Sequence, residues 1–281
     1  MMKFALLASG SKGNSFVLRD DQTLVMIDCG STKKHLMNSL EQLGISTDDL
    51  DALVITHDHS DHVSQIRHFK DVNIYSPVEI PDMDVFQVRA MQKFVIGSLS
   101  FTPVPLSHDA LNTTGYVITN GVEKLVYITD TGYVNERYLP LLEGADYIVL
   151  ESNHDVDMLM RTRRPQYLKQ RICGDEGHLN NEDCAQVLNH IVTQQTKMII
   201  LAHISQQANT REKALETSRE VLLHEHAGPL NEKLILSAAG QFEMIRKGWN
   251  NEEEMDPGSV SCPLGMEYRA LSHHDQESFR L

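Results

Sequence analysis

Leu53-Val54-Ile55-Thr56-His57-Asp58-His59-Ser60-Asp61-His62 decides how this chain is read. Its apolar start reads as a buried strand. The last six residues hold three imidazoles and two carboxylates. The polar part reads as a loop at the strand end, where His57 and His59 can turn onto one metal ion. Asp61 and His62 can then face a second ion close by. Imidazole and carboxylate at such short spacing are the donors that divalent transition metals take. Three further donors stand at the ends of apolar runs downstream. His108 follows Pro105-Leu106-Ser107. Asp130 ends a strand and could bridge two ions. His203 closes Lys197-Met198-Ile199-Ile200-Leu201-Ala202.

The chain has 281 residues, enough for one large α/β domain. A single domain is expected over 1–249, followed by a flexible tail over 250–281 that opens with Asn250-Asn251-Glu252-Glu253-Glu254. Cys29, Cys173, Cys184 and Cys262 are widely spaced, without a C-x-x-C pair, which suits a reducing compartment. The apolar start, Phe4-Ala5-Leu6-Leu7-Ala8, is too short for a secretory leader and reads as a first strand. No run approaches the roughly 18 apolar residues of a membrane helix. A cytoplasmic protein without membrane contact is the expectation. The net charge of −14 disfavours nonspecific binding to nucleic acid or anionic membrane, yet leaves room for a local basic site. Segment 161–171 carries Arg161, Arg163, Arg164, Lys169 and Arg171 with no acid among them. By itself it reads equally as a solvated helix face.

Strands are predicted at 3–8, 15–19, 24–28, 53–56, 99–104, 115–119, 124–128, 147–150, 197–202, 233–237 and 241–245. Helices are predicted at 33–43, 61–69, 135–142, 181–194 and 210–223. The interleaving indicates an α/β class with both sheet faces covered. Leu24-Val25-Met26-Ile27-Asp28-Cys29-Gly30 echoes Leu125-Val126-Tyr127-Ile128-Thr129-Asp130-Thr131-Gly132. Each is an apolar strand closed by Asp and then Gly, a pattern that fits two similar halves packed face to face.

The ordered set Asp28, His57 to His62, His108, Asp130 and His203 resembles the metallo-β-lactamase-fold hydrolases, over most of residues 1–245. The resemblance implies a four-layer αββα sandwich with the metals at one edge between the sheets. It implies His57, His59 and His108 on one ion, and Asp61, His62 and His203 on the other, with Asp130 between them. Asp28 then orients a ligand without binding metal. Two divalent ions, zinc or manganese, are the expected cofactors.

Four segments turn the expected substrate toward phosphodiesters. Ser9-Gly10-Ser11-Lys12-Gly13-Asn14-Ser15 is a glycine-rich turn whose backbone N–H groups can approach an anion, or an ordinary tight hairpin. His178 stands just before a helix that Asn180 or Asn181 can cap, where it can join the helix end in holding phosphate. The basic segment directly precedes it and could track a nucleic-acid backbone. Glu151-Ser152-Asn153-His154-Asp155 ends another strand and reads as support for the metal loop. Together with Thr56 to His62 and His203-Ile204-Ser205, these segments resemble the YycJ/WalJ-like subfamily. That resemblance implies a metal-dependent nuclease with 5′→3′ exonuclease activity on double-stranded DNA. Two departures touch substrate contacts and spare the metal donors: a serine is usual where Asn180 stands, and two asparagines where Ala208-Asn209 stands.

The expected reaction is metal-assisted attack of water on a phosphodiester. Asp61 and Asp130 position the nucleophile through the metals, and His178 holds a phosphate oxygen or protonates the leaving oxygen. Ser9, Lys12, Asn14, Arg164, Arg171 and Asn180 are the remaining candidate substrate contacts. A small-molecule hydrolase of a thioester, lactone or cyclic phosphodiester is the alternative, and a binding module with a vestigial site is a third. The sequence leaves the oligomeric state open.

Overall fold

The computed structural model describes residues 1–249 and the strand Val260–Pro263. Its strands are β1 (Lys3–Ala8), β2 (Ser15–Asp20), β3 (Thr23–Cys29), β4 (Ala52–Val54), β5 (Asn73–Ser76), β6 (Val85–Gln87), β7 (Phe94–Ile96), β8 (Leu99–Pro105), β9 (Thr114–Thr119), β10 (Lys124–Ile128), β11 (Tyr147–Glu151), β12 (Met198–Ala202), β13 (Ile235–Ala238), β14 (Ile245–Lys247) and β15 (Val260–Pro263). The helices are α1 (Lys33–Gln42), α2 (Ser60–Val63), α3 (Leu139–Leu142), α4 (Val156–Arg161), α5 (Gln166–Cys173), α6 (Asn181–Ile191) and α7 (Arg211–His224).

Most central strands are apolar throughout because both of their faces are covered. Alternate residues go to different cores. Phe4, Leu6, Phe16, Leu18, Val25, Ile27 and Val54 of the first sheet meet Phe101, Tyr116, Ile118, Tyr127, Val149 and Ile200 of the second. Ala5, Leu7, Val17, Met26 and Leu53 point the other way, onto Leu36, Leu40 and Phe69. Ile128, Ile148, Leu150, Ile199 and Leu201 cover the outer face of the second sheet, against Leu142, Leu188, Ala214 and Leu222. These three cores separate four layers, helix–sheet–sheet–helix, which is the αββα sandwich expected.

The first sheet runs β14-β1-β2-β3-β4-β5-β6 and the second β15-β13-β12-β11-β10-β9-β8-β7. In each, an antiparallel meander ends in a strand (β3 or β10) that pairs in parallel with the next (β4 or β11). The sequence echo is therefore a repeat of topology. It extends to the backbone: Asp28 and Asp130 have φ of 55° and 59°. His203, at the end of β12, has φ of 53°. Positive φ is costly for a residue with a side chain and clusters where function needs a sharp turn. Asp28 is the extra residue of an irregularity in β3, between Ile27 paired with Phe16 and Cys29 paired with Ser15, whereas Asp130 and His203 follow their strands.

Several predicted boundaries are corrected. The helix expected over 61–69 is one turn, α2, followed by a 3-10 turn at Ile66–Phe69. The helix expected over 135–142 is likewise split into a 3-10 turn, Glu136–Tyr138, and α3. The last strand of the first sheet begins at Ile245, and 241–244 form a turn whose Gln241 side chain accepts from Lys12 N and donates to Gly13 O. Strands β5, β6 and β7 and helix α4 stand where the sequence pattern announces no element, and α5 overlaps the basic segment 161–171 for which a helix face is one reading. Of the segment 250–281, only Val260–Pro263 is described; it pairs antiparallel with β13, and the rest lies outside the described residues. No helix of the described residues is long and apolar enough to cross a membrane.

Candidate metal centre and substrate cavity

β4, β8, β10, β11 and β12 all point the same way, so their carboxyl ends share one edge of the sandwich. Ligands of open α/β sheets gather at such an edge. The loop after β4 places His57 and His62 fully buried and His59 half-buried. His108 follows β8, Asp130 follows β10, and His203 follows β12. The donor atoms of His57, His59 and His108 form one compact group, those of His57, His62 and Asp130 a second, and those of Asp130, Glu151, His178 and His203 a third. Asp61 lies at the rim, its Oδ2 3.8 Å from His62 Nε2.

Each buried imidazole of the donor groups, His57, His62, His108 and His203, has its Nδ1 engaged. His62 Nδ1 donates to Asp28 Oδ2 at 2.8 Å, and Thr56 braces the same carboxylate through N and Oγ1, both at 2.8 Å. His57 Nδ1 lies 3.1 Å from Thr56 Oγ1. His108 Nδ1 donates to Gly177 O at 2.9 Å. His203 Nδ1 lies 2.8 Å from Glu151 Oε1. Such outer partners orient the rings with Nε2 turned toward the other donors, that of His62 also lying 2.9 Å from Asn14 Nδ2. His57 Nε2 is buried with no hydrogen-bond partner, and Asp130 Oδ2 approaches His62 Nε2 at 3.1 Å without hydrogen-bond alignment. Buried polar atoms left in this way are costly unless a ligand completes them. The donor set therefore fits divalent metal ions.

The electrostatics agree. Burial, then the neighbouring His62 charge, pushes His57 well below the usual histidine range, so it stays neutral. Burial opposes ionisation of Asp130, but His203 and His62 hold its carboxyl well below the ordinary value. Burial likewise opposes charge on Glu151, yet His178 and His203 bring it down to about 2. Asp130 and Glu151 thus stay ionised in a buried setting by facing imidazoles: against burial, Asp28 and Asp130 raise His62 well above the usual histidine range, and Asp130 and Glu151 raise His203 to about 9.

Glu151 is the residue that sequence reading places only loosely, as support. It is fully buried at the end of β11. Its Oε1 lies 2.8 Å from both His178 Nδ1 and His203 Nδ1, and its Oε2 accepts from Thr131 N and Leu179 N. It ties the metal-side His203 to His178, which faces the cavity.

That cavity has a volume of about 210 Å³. His59, Asp61, His108, Asp130, His178 and His203 line one part of it, and Ser11, Asn153, Arg164, Arg171 and Ser205 others. Of the candidate substrate contacts, Arg164, Arg171 and His178 reach it. Ser9 is buried and its Oγ accepts from His203 N. Asn14 is buried, its Nδ2 donating to Asp61 Oδ2 at 3.2 Å. Lys12 is exposed on the turn beside Ser11. Asn180 caps α6, its Oδ1 accepting from Asp183 N at 2.8 Å. Asp109, unremarked in the sequence, binds Arg171 and places Oδ1 3.3 Å from His108 Nε2 and 3.7 Å from His59 Nε2.

A buried cluster of imidazole and carboxylate at the seam of an αββα sandwich defines a class, and the chain belongs to the metallo-β-lactamase superfamily: the family described as "Beta-lactamase superfamily domain" matches residues 23–204. Within it, the chain is 34% identical over 236 residues to Exodeoxyribonuclease YycJ of Bacillus anthracis, covering 79% of this chain and 89% of that one. It is 32% identical over 230 residues to Exodeoxyribonuclease WalJ of Streptococcus pneumoniae, covering 75% and 85%. Among solved structures the fold is similar to the metallo-β-lactamase fold protein YhfI from Bacillus subtilis, with TM-score 0.64 and 16% identity over 87% of this chain and 99% of that one. Zn(2+)-bound PqqB from Methylobacterium extorquens aligns with TM-score 0.63 and 15% identity over 87% and 99%.

Proposed function

We propose that this chain is a dinuclear metal-dependent nuclease that hydrolyses phosphodiesters of double-stranded DNA from an end. The observation that carries the reading is the convergence of His178, Arg164 and Arg171 on the cavity that the metal donors line. An ester without charge would not call for two guanidiniums beside the metals; a phosphodiester does. The names of the YycJ and WalJ relatives support a DNA substrate and exonucleolytic action. The 5′→3′ direction rests on the subfamily resemblance. The scattered cysteines favour a cytoplasmic setting.

His57, His59 and His108 would hold one ion, and Asp61, His62 and His203 a second, with Asp130 between them. Zinc or manganese suits this mixture of nitrogen and oxygen donors. Bound, such ions supply a nucleophile from water at neutral pH and Lewis acidity toward the phosphoryl oxygens. The chain's own groups do the rest. Arg164 and Arg171 neutralise the phosphate and fix its direction of approach. Glu151 holds His178 through Nδ1, so that Nε2 faces the cavity. From there it can hold a phosphate oxygen or hand a proton to the leaving oxygen.

The test is to load the protein with Zn²⁺ or Mn²⁺ and offer 5′- and 3′-end-labelled duplex DNA, single-stranded DNA, RNA and a panel of thioesters and lactones. Cleavage of duplex DNA from the 5′ end is expected. Turnover of a thioester or lactone without nuclease activity would sink the reading.

A further inference from the structure

The segment formed by α4 and α5 is anchored at its start by the backbone bond of Asp155 N to Ala208 O, and reaches the rim of the cavity through two side-chain bridges. Arg171, on the last turn of α5, binds Asp109 in the loop after β8. Arg164, between the two helices, donates through Nε to Gln207 Oε1 at 3.2 Å, in the loop after β12. Arg164, Arg171 and Ile172 all line the cavity. The segment has a small core of its own, Leu159, Leu168 and Ile172 with Ala208 of the loop after β12, separate from the three main cores. It is a strap crossing from one side of the candidate metal centre to the other, with a side-chain bridge at each end.

We propose that this strap, closed by Arg171–Asp109 and Arg164–Gln207, is what confines cleavage to strand ends. The inference rests on the nuclease reading above. The cavity, at about 210 Å³, is smaller than the roughly 300–1,000 Å³ of sites that enclose whole small ligands. It takes a phosphate and its sugar, and no duplex. A phosphodiester in the middle of a chain has a nucleotide strand leaving it in both directions. Under a strap bridged at both ends, one of those two exits is shut. A terminal nucleotide has a single continuation and needs one exit. Fraying adds to the preference, because a terminal pair gives up one stacking step and an internal pair two. Asp109 and Gln207 are the specificity determinants, because they hold the arginines in the bridged position; Asp109 Oδ1 also lies near His108 Nε2 and His59 Nε2, so the effect is read as a ratio between substrates and in metal-free binding.

The experiment compares a linear duplex, a covalently closed dumbbell of the same sequence and a closed circular plasmid. All three are given to the Mn²⁺- or Zn²⁺-loaded wild type and to Asp109→Ala/Gln207→Ala. Wild type should digest the linear duplex and leave the dumbbell and plasmid intact. The double variant should nick the plasmid, raising the ratio of plasmid to linear cleavage at least tenfold. Binding is measured in parallel on metal-free protein by fluorescence anisotropy, where wild type should favour the open-ended duplex over the dumbbell at least tenfold and the variant should lose that preference. Wild type that cuts dumbbell and linear DNA at equal rates overturns the proposal, whatever the variant's folding. So does a variant that digests linear DNA and still spares the plasmid. Wild type that cuts no DNA at all removes the nuclease reading and this inference with it.

Discussion

His178 and His203 share one acceptor: the Nδ1 of each lies 2.8 Å from Glu151 Oε1, inside the protein. A single carboxylate therefore orients a metal-side imidazole and a cavity-side imidazole together. Replacing it should disturb both functions at once. Glu151→Gln is expected to lower metal affinity and turnover by about 10- to 100-fold each, the usual effect of losing an outer partner of a ligating histidine. Metal titration by calorimetry and steady-state kinetics check this. Loss of turnover with unaltered metal affinity would mean that Glu151 serves His178 alone.

His178→Ala separates the two roles. It should retain the metal content of wild type while kcat falls by about 10²- to 10⁴-fold, the range for a group that moves a proton in the transition state. Elemental analysis beside single-turnover cleavage is the measurement. Hydrolysis of DNA at the wild-type rate would remove His178 from the mechanism.

Removing metal should destabilise the fold. His57 Nε2 is buried without a partner, and Asp130 sits ionised among imidazoles. A cation that binds only the folded chain adds about 2.7 kcal/mol at a hundred times its Kd. The denaturation midpoint should rise with Zn²⁺ or Mn²⁺ concentration and fall on chelation. A midpoint indifferent to both would refute the metal centre.

A separate pH dependence should come from His154, which is fully buried and lies outside the donor groups. Burial pushes its pKa down to about 4, with Glu151 opposing. The unfolded chain protonates this residue near 6.5 and the folded chain only near 4. Its contribution is thus complete above about pH 6.5 and is lost as pH falls toward 4, by up to roughly 3 kcal/mol. His154→Gln should flatten the difference in urea stability between about pH 7 and pH 4.5. Equal slopes for wild type and variant would show that His154 titrates normally.

The sandwich was legible because its central strands are apolar runs that end in Asp or His, the conjunction that a binding site at a sheet edge produces. The candidate metal donors that the structure gathers carry the same signal: His57, His108, Asp130 and His203 each follow a strand within three residues, where sequence position nearly fixes location. Edge strands β6 and β7 span only Val85–Gln87 and Phe94–Ile96, too short for a pattern of period two to register. Helices α4 and α5 are short, Val156–Arg161 and Gln166–Cys173, so a 3.6-residue period barely registers, and their apolar residues serve a core of only a few side chains. Asn14 illustrates a further limit. A polar residue in a glycine-rich turn looks free to meet an anion, whereas its carbonyl accepts from Gly30 N and its amide braces Asp61. No local pattern distinguishes those uses. Asp109 and Gln207 carry no local signal, because their partners, Arg171 and Arg164, come from a distant part of the chain.

The hydrogen bonds behind the imidazoles also govern metal uptake. Asp28, Thr56, Gly177 O and Glu151 arrest the rings of His62, His57, His108 and His203 from behind. Rotamer and tautomer are selected while the chain folds, so that selection is complete before an ion arrives. Capture then calls for little more than stripping water from the ion and displacing protons held by the site. The entropy of ordering falls on folding, and the centre meets its metals as a preorganised receptor, with a backbone that should superpose before and after loading.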